Sequence, residues 1–233
     1  MLPCFNSKIL HGNRGLWRGV LLAFALCLSI SVSAQTVEEV LEKAEQNDVE
    51  AQVLLGAMYY LGQGVAQNFA EAVSWYRKAA GQGDANAQFT LGQMYRQGLG
   101  IAQNDTEAAN WYRKAAEQEH AVAQYNLGMM YINGHGVAQS DAEAVDWLRK
   151  AAEQGYMYAQ YNLGGLYYEG RGVAQDYATA YMLLMLAISQ TDASSSDYAR
   201  LTTAYDELVG RLTRSQIIEA ERLAQEWKQR HPR

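Results

Sequence analysis

Cysteine is almost missing from this chain. There are two in 233 residues, Cys4 and Cys27, and both fall before residue 35. Beyond that point disulfides, thiol catalysis and cysteine-held metals are excluded. Basic charge is short as well: 19 Lys and Arg stand against 25 Asp and Glu, a net charge of −6. Without Lys8, Arg14 and Arg18, 16 basic groups face the same 25 acids, giving −9. Binding to nucleic acid leans on phosphate neutralisation and needs the opposite balance, so no nucleic-acid partner is expected. A long hydrophobic run is also lacking. Val20 to Ile30 is shorter than the roughly 20 residues a spanning helix requires. Set between a positive leader and Val32-Ser33-Ala34, it has the layout of a secretory signal peptide over residues 1–34. The expected location is periplasmic or secreted, with no stable membrane insertion after cleavage.

Catalytic constellations are absent too. Beyond the leader the histidines are His120, His135 and His231, without metal-like spacing. No S-x-x-K occurs, and there is no G-x-x-x-x-G-K-S/T phosphate loop. The short G-x-G elements are followed by V-A-Q, which marks them as turns. The expectation is a non-enzymatic protein with no catalytic, metal-binding or cofactor-binding residues and no cofactor.

What the chain does have is a 36-residue block repeated four times, A-Q-x-x-L-G-x-x-Y-x-x-G-x-G. Its glycines recur at Gly56, Gly92, Gly128 and Gly164. They recur again at Gly62, Gly98, Gly134 and Gly170, and at Gly64, Gly100, Gly136 and Gly172. Such a period means stacked supersecondary units that cannot bury their apolar faces alone. In the second repeat Ala87, Leu91, Gly92 and Tyr95 form one stripe of a first helix, A. Gly92 costs that helix about 1 kcal/mol against Ala, so a neighbouring helix should approach too closely for a Cβ. Gly98 and Gly100 then end the helix. A second helix, B, starts after Asn68, Asn104, Ser140 and Asp176, all good N-caps. Glu71, Glu107 and Glu143 should complete reciprocal capping boxes in three repeats. Ala108, Trp111, Tyr112 and Ala115 form its buried stripe, while Arg113-Lys114 and Arg149-Lys150 read as a solvated face.

The ends differ. Residues 35–47, with Thr36 and Glu39 as a cap, read as an N-terminal capping helix covering the repeats at 48–190. Residues 191–233 read as C-terminal capping helices, the last one burying Ile217, Ile218, Ala220, Leu223, Ala224 and Trp227.

The pattern A-Q-x-x-L-G-x-x-Y-x-x-G-x-G-V-A-Q-(N/D)-x-x-x-A-x-x-W-Y-x-K-A-A resembles the Sel-1-like repeat, a relative of the tetratricopeptide repeat. That resemblance implies an all-α fold, a right-handed α-solenoid of stacked antiparallel helix pairs, and a role as adaptor, assembly factor or regulator. It also implies, by analogy, which helix A positions line the inner curve. From these come the partner-binding candidates Tyr60, Phe89, Gln93, Arg96, Tyr125, Met129, Tyr158, Tyr161 and Tyr168. They are rich in tyrosine, which combines contact area with a polar tip. The expected partner is a protein or peptide, with Arg96 meeting a carboxylate, and the expected state is a monomer. The alternative is a peptidoglycan or β-lactam-type ligand binder or weak hydrolase, as in a cysteine-rich branch of the family. This chain lacks the paired cysteines of that branch.

Overall fold

The computed structural model describes residues 36–231. The leader lies outside the described residues. Eleven helices and no strand are found among the described residues: α1 (Val37–Glu45), α2 (Val49–Leu61), α3 (Phe69–Gly81), α4 (Ala85–Gln97), α5 (Asp105–Glu117), α6 (Ala121–Asn133), α7 (Asp141–Glu153), α8 (Met157–Glu169), α9 (Tyr177–Ile188), α10 (Ser196–Val209) and α11 (Arg214–Arg230). They fall into two compact bodies. The N-terminal body holds residues 36–123 with the loop at 135–137, and the C-terminal body holds 124–134 and 138–231. Within each body consecutive helices pack as A/B pairs.

Helix A meets helix B where its mid-helix glycine lies. A Cβ on Gly92 would stand 2.8 Å from the Tyr112 ring, and one on Gly128 would stand 2.9 Å from Leu148. The cost of a helical glycine is thus offset by close packing, as the repeat pattern predicts. The B-helix caps also form: Asn68, Asn104 and Ser140 accept from the backbone N–H of Glu71, Glu107 and Glu143.

The return half of the predicted capping boxes is replaced by a contact from helix A. The backbone N–H of Asn68, Asn104, Ser140 and Asp176 donates to the carbonyl of Tyr59, Tyr95, Tyr131 and Tyr167 at 2.9–3.0 Å. A full reciprocal box closes at Thr213 and Gln216.

Glutamine provides a second joint. Gln52, Gln88 and Gln160 are buried on helix A, and each amide donates to a carbonyl at the end of the preceding helix, of Ala44, Ala80 and Ala152. Each also accepts at 2.8 Å from the glutamine that follows its partner helix B: Gln82, Gln118 and Gln190. Gln154 and Gln124 make the same 2.8 Å bond. Buried polar groups need partners, and here they supply one another.

The loops form a third joint. Gly100 lies with φ +69° against the start of α3, and Gly172 lies likewise against the start of α7. Beside Gly172, Arg171 makes two hydrogen bonds to Asp141, at 2.8 and 3.0 Å. Both side chains are partly exposed, so Arg171→Ala should cost only about 1 kcal/mol. Denaturant melts at low and high salt should show that loss shrinking with salt.

Three further sequence expectations need correction. Tyr112, not Trp111, is the core member of the helix B stripe: Tyr112 is fully buried and Trp111 half-buried. The lysines behind the tryptophans are not simply solvated. The ammonium groups of Lys78, Lys114 and Lys150 lie 3.6, 4.0 and 4.1 Å from the ring centres of Trp75, Trp111 and Trp147, a cation–π arrangement. On α11 only Ala220 and Ala224 are buried, and Ile218 is 58% exposed. Helices α10 and α11 both pack on α9. Leu201 and Tyr205 keep the spacing of Leu55 and Tyr59, and the Tyr205 hydroxyl meets that of Tyr181 at 2.6 Å.

Candidate functional site

In the N-terminal body α2 and α4 carry four of the candidates. Tyr60 is half-buried, its ring edge-on to Phe69 at 5.3 Å, and burial raises its hydroxyl pKa. Phe89 is 7% exposed. It is held between Tyr112, with centroids 5.8 Å apart, and His120, with centroids 4.5 Å apart. Gln93 is buried beside it on the same helix. Arg96 is half-buried, and no carboxylate stands within ion-pair distance among the described residues. Next to it lies the hydroxyl of Tyr112, buried and without a well-formed hydrogen bond. Desolvation pushes that hydroxyl up to about 12, against the pull of the Arg96 charge.

The C-terminal body carries the other five. Tyr125 (4% exposed), Met129 (6%) and Tyr158 (6%) are buried. Tyr125, Tyr156 and Tyr158 form an aromatic cluster with centroids 5.2–6.2 Å apart. The Tyr158 hydroxyl donates to Asp197 of α10 at 3.1 Å. Tyr161 and Tyr168 are half-buried against the cluster built from α9, α10 and α11. Tyr168 also packs on Tyr177 at 5.5 Å, and the Arg211 guanidinium lies 5.5 Å from its ring centre.

Five of the nine candidates, Phe89, Gln93, Tyr125, Met129 and Tyr158, therefore lie in the packing. The cause is regular for two of them. The residue just before the next helix A folds back over the aromatic: His120 over Phe89, and Tyr156 over Tyr125. Tyr158 is covered by α10, and Tyr161 and Tyr168 pack against the chain's own C-terminal helices. Tyr60, Arg96, Tyr161 and Tyr168 keep partial exposure, and of these Tyr60 and Arg96 belong to the N-terminal body. Periodicity alone does not reveal Phe69, the aromatic beside Tyr60. Its signal is a large apolar residue at the first turn of a helix B, where the next two repeats have Asp105 and Asp141.

No group of three or more His, Asp or Glu among the described residues is placed to hold a metal. No described helix is long and apolar enough to cross a membrane.

Helix pairs joined at a fixed 36-residue period define an all-α repeat protein of the solenoid class. The Sel1 repeat profile matches residues 49–84, 85–120, 121–156 and 158–192, and the chain belongs to the Sel1 repeat family. It is similar to c5321, a protective antigen of uropathogenic Escherichia coli displaying an SLR fold, at 36% identity and TM-score 0.70. That match covers 82% of this chain and 40% of the antigen, so the chain spans well under half of that relative's length. It is similar also to a Sel1 repeat protein from Oxalobacter formigenes, at 34% identity and TM-score 0.64, covering 76% of this chain and 74% of the other. A search of curated proteins gives no match.

Proposed function

We propose that this protein is an exported, non-enzymatic interaction scaffold, periplasmic or secreted, that captures a peptide segment of a partner protein on the helix A face of its N-terminal body. Sel1 repeat proteins are typically protein–protein interaction scaffolds, and the segment and the site are the finer reading. The observation that carries it is Arg96, a half-buried cation with no carboxylate at ion-pair distance among the described residues, in a chain with excess acid. The frame positions Leu, Gly and Tyr stay constant between repeats. The position of Arg96 instead reads Tyr60, Arg96, Ile132 and Tyr168, as a specialised surface on a repeated frame would. A carboxylate of the partner is the complement to the guanidinium, and the Tyr60–Phe69 pair of the preceding repeat supplies apolar contact.

The test is a crosslinked pull-down from envelope extract with wild type and a Tyr60→Ala/Arg96→Gln double variant. The variant is expected to lose about nine-tenths of the captured partner, the loss of one hot-spot pair, with unchanged helix content by circular dichroism. Equal capture by both proteins refutes the site. Substituting Phe89 or Tyr125 would not serve, because those side chains hold the fold.

A further inference from the structure

His120 stands at the residue before helix A where the first two repeats have Asp48 and Asp84. Those aspartates cap α2 and α4, accepting from the N–H of Ala51 at 2.8 Å and of Ala87 at 2.7 Å. At the start of α6 the acceptor is the imidazole Nδ1, which takes the N–H of Ala123 at 3.1 Å. The same ring stacks on Phe89, with planes 25° apart. A neutral imidazole can do both. An imidazolium has no lone pair left at Nδ1 and brings positive charge to the positive end of a helix.

We propose that His120 is an acid-sensitive cap: protonation at Nδ1 releases the first turn of α6 and loosens the Phe89 ring stacked on it. The aspartates at the same place in the earlier repeats offer an acceptor oxygen in either protonation state. From α4, Asp84 is the acid whose charge reaches the ring and favours the proton; Arg96, further along α4, lies beside Tyr112. From α5, Tyr112 stays uncharged throughout that range. Glu117, at the end of α5, and Glu119, in the turn, are exposed. The first turn of α6 has no acid. Burial outweighs both the ring's hydrogen bond to its own backbone and the charge of Asp84, and holds the ring's pKa below its ordinary 6.5. The unfolded chain thus takes the proton more readily than the folded one. The contribution of His120 to stability is complete above pH 6.5 and is lost as pH falls below it. His135 lies in an exposed loop and His231 stacks on Trp227, so neither reports on this cap. The switch needs no bound partner and stands independently of the proposed interaction site.

Amide exchange and aromatic NMR on the full chain at about pH 7.5 and about pH 5.5 test it. In wild type the protection factor of the Ala123 amide, corrected for intrinsic exchange, is expected to fall about fivefold, as for a lost cap. The Phe89 ring signals should shift with the same midpoint. His120→Asp should show neither change, and His120→Asn, a capping residue that does not titrate, provides the second variant should the aspartate fold poorly. An equal fall in the variants, or no fall in wild type, overturns the proposal.

Discussion

Gly100→Ala is expected to destabilise the N-terminal body by about 3–5 kcal/mol, a large loss for one added methyl group. Two costs combine. The backbone sits at φ +69°, where an L side chain is strained. The added Cβ would also stand 2.2 Å from the carbonyl carbon of Phe69 and 2.6 Å from the nitrogen of Ala70. Both are main-chain atoms at the start of α3, so neither can turn aside. Gly64→Ala separates the two costs. Its φ is +73°, but the new Cβ would meet the side chains of Val37 at 3.1 Å and Met58 at 3.3 Å, which can move. That variant should lose about 1–2 kcal/mol, mainly from the backbone. Denaturant melts of the two variants beside wild type give the comparison. Equal losses would mean that the loop moves off α3 without cost.

Gln88→Leu is expected to cost about 2–3 kcal/mol although it keeps the volume and adds apolar surface. A leucine would ordinarily be welcome at a site 5% exposed. Here it would leave the Ala80 carbonyl without the amide that reaches it at 3.1 Å, and take from Gln118 its 2.8 Å acceptor. Gln118 retains a bond to the Gly83 carbonyl at 2.9 Å, so the loss falls mainly on Ala80. Equilibrium denaturation followed by far-ultraviolet circular dichroism measures the effect. A gain in stability would show that the glutamine joint is replaceable by packing.

These two positions mark where the sequence is legible and where it is not. The close approach at Gly92 can be read because a glycine inside a strong helical pattern needs a reason, and the Tyr112 ring is that reason. The N-caps at Asn68, Asn104 and Ser140 are equally readable, being local. Gln88 is not: a glutamine on a helix reads as surface, and its partners lie 8 and 30 residues away. The missing return bond of the capping boxes has the same origin. The Asn104 N–H is taken by the Tyr95 carbonyl across the loop, which no three-residue spacing can show.

The site was legible in part for a related cause. Phe89 and Tyr125 vary between repeats as recognition residues do, yet each is covered by the residue 31 positions downstream. That residue, His120 or Tyr156, varies with it. Variation at those positions therefore reports matched packing between neighbours. At Arg96 no such match exists, and the side chain stays half open.

The loop joint carries a wider consequence. Gly100, Gly136 and Gly172 all rest on main-chain atoms, those of Phe69–Ala70, Asp105–Thr106 and Asp141–Ala142. A contact with bare backbone is indifferent to the side chain that backbone carries, so Phe, Asp and Asp serve equally as seats. Modules joined in this way are interchangeable bricks. The side chains on their seats can diverge freely, while any insertion that is not a whole brick breaks the mortar on both sides.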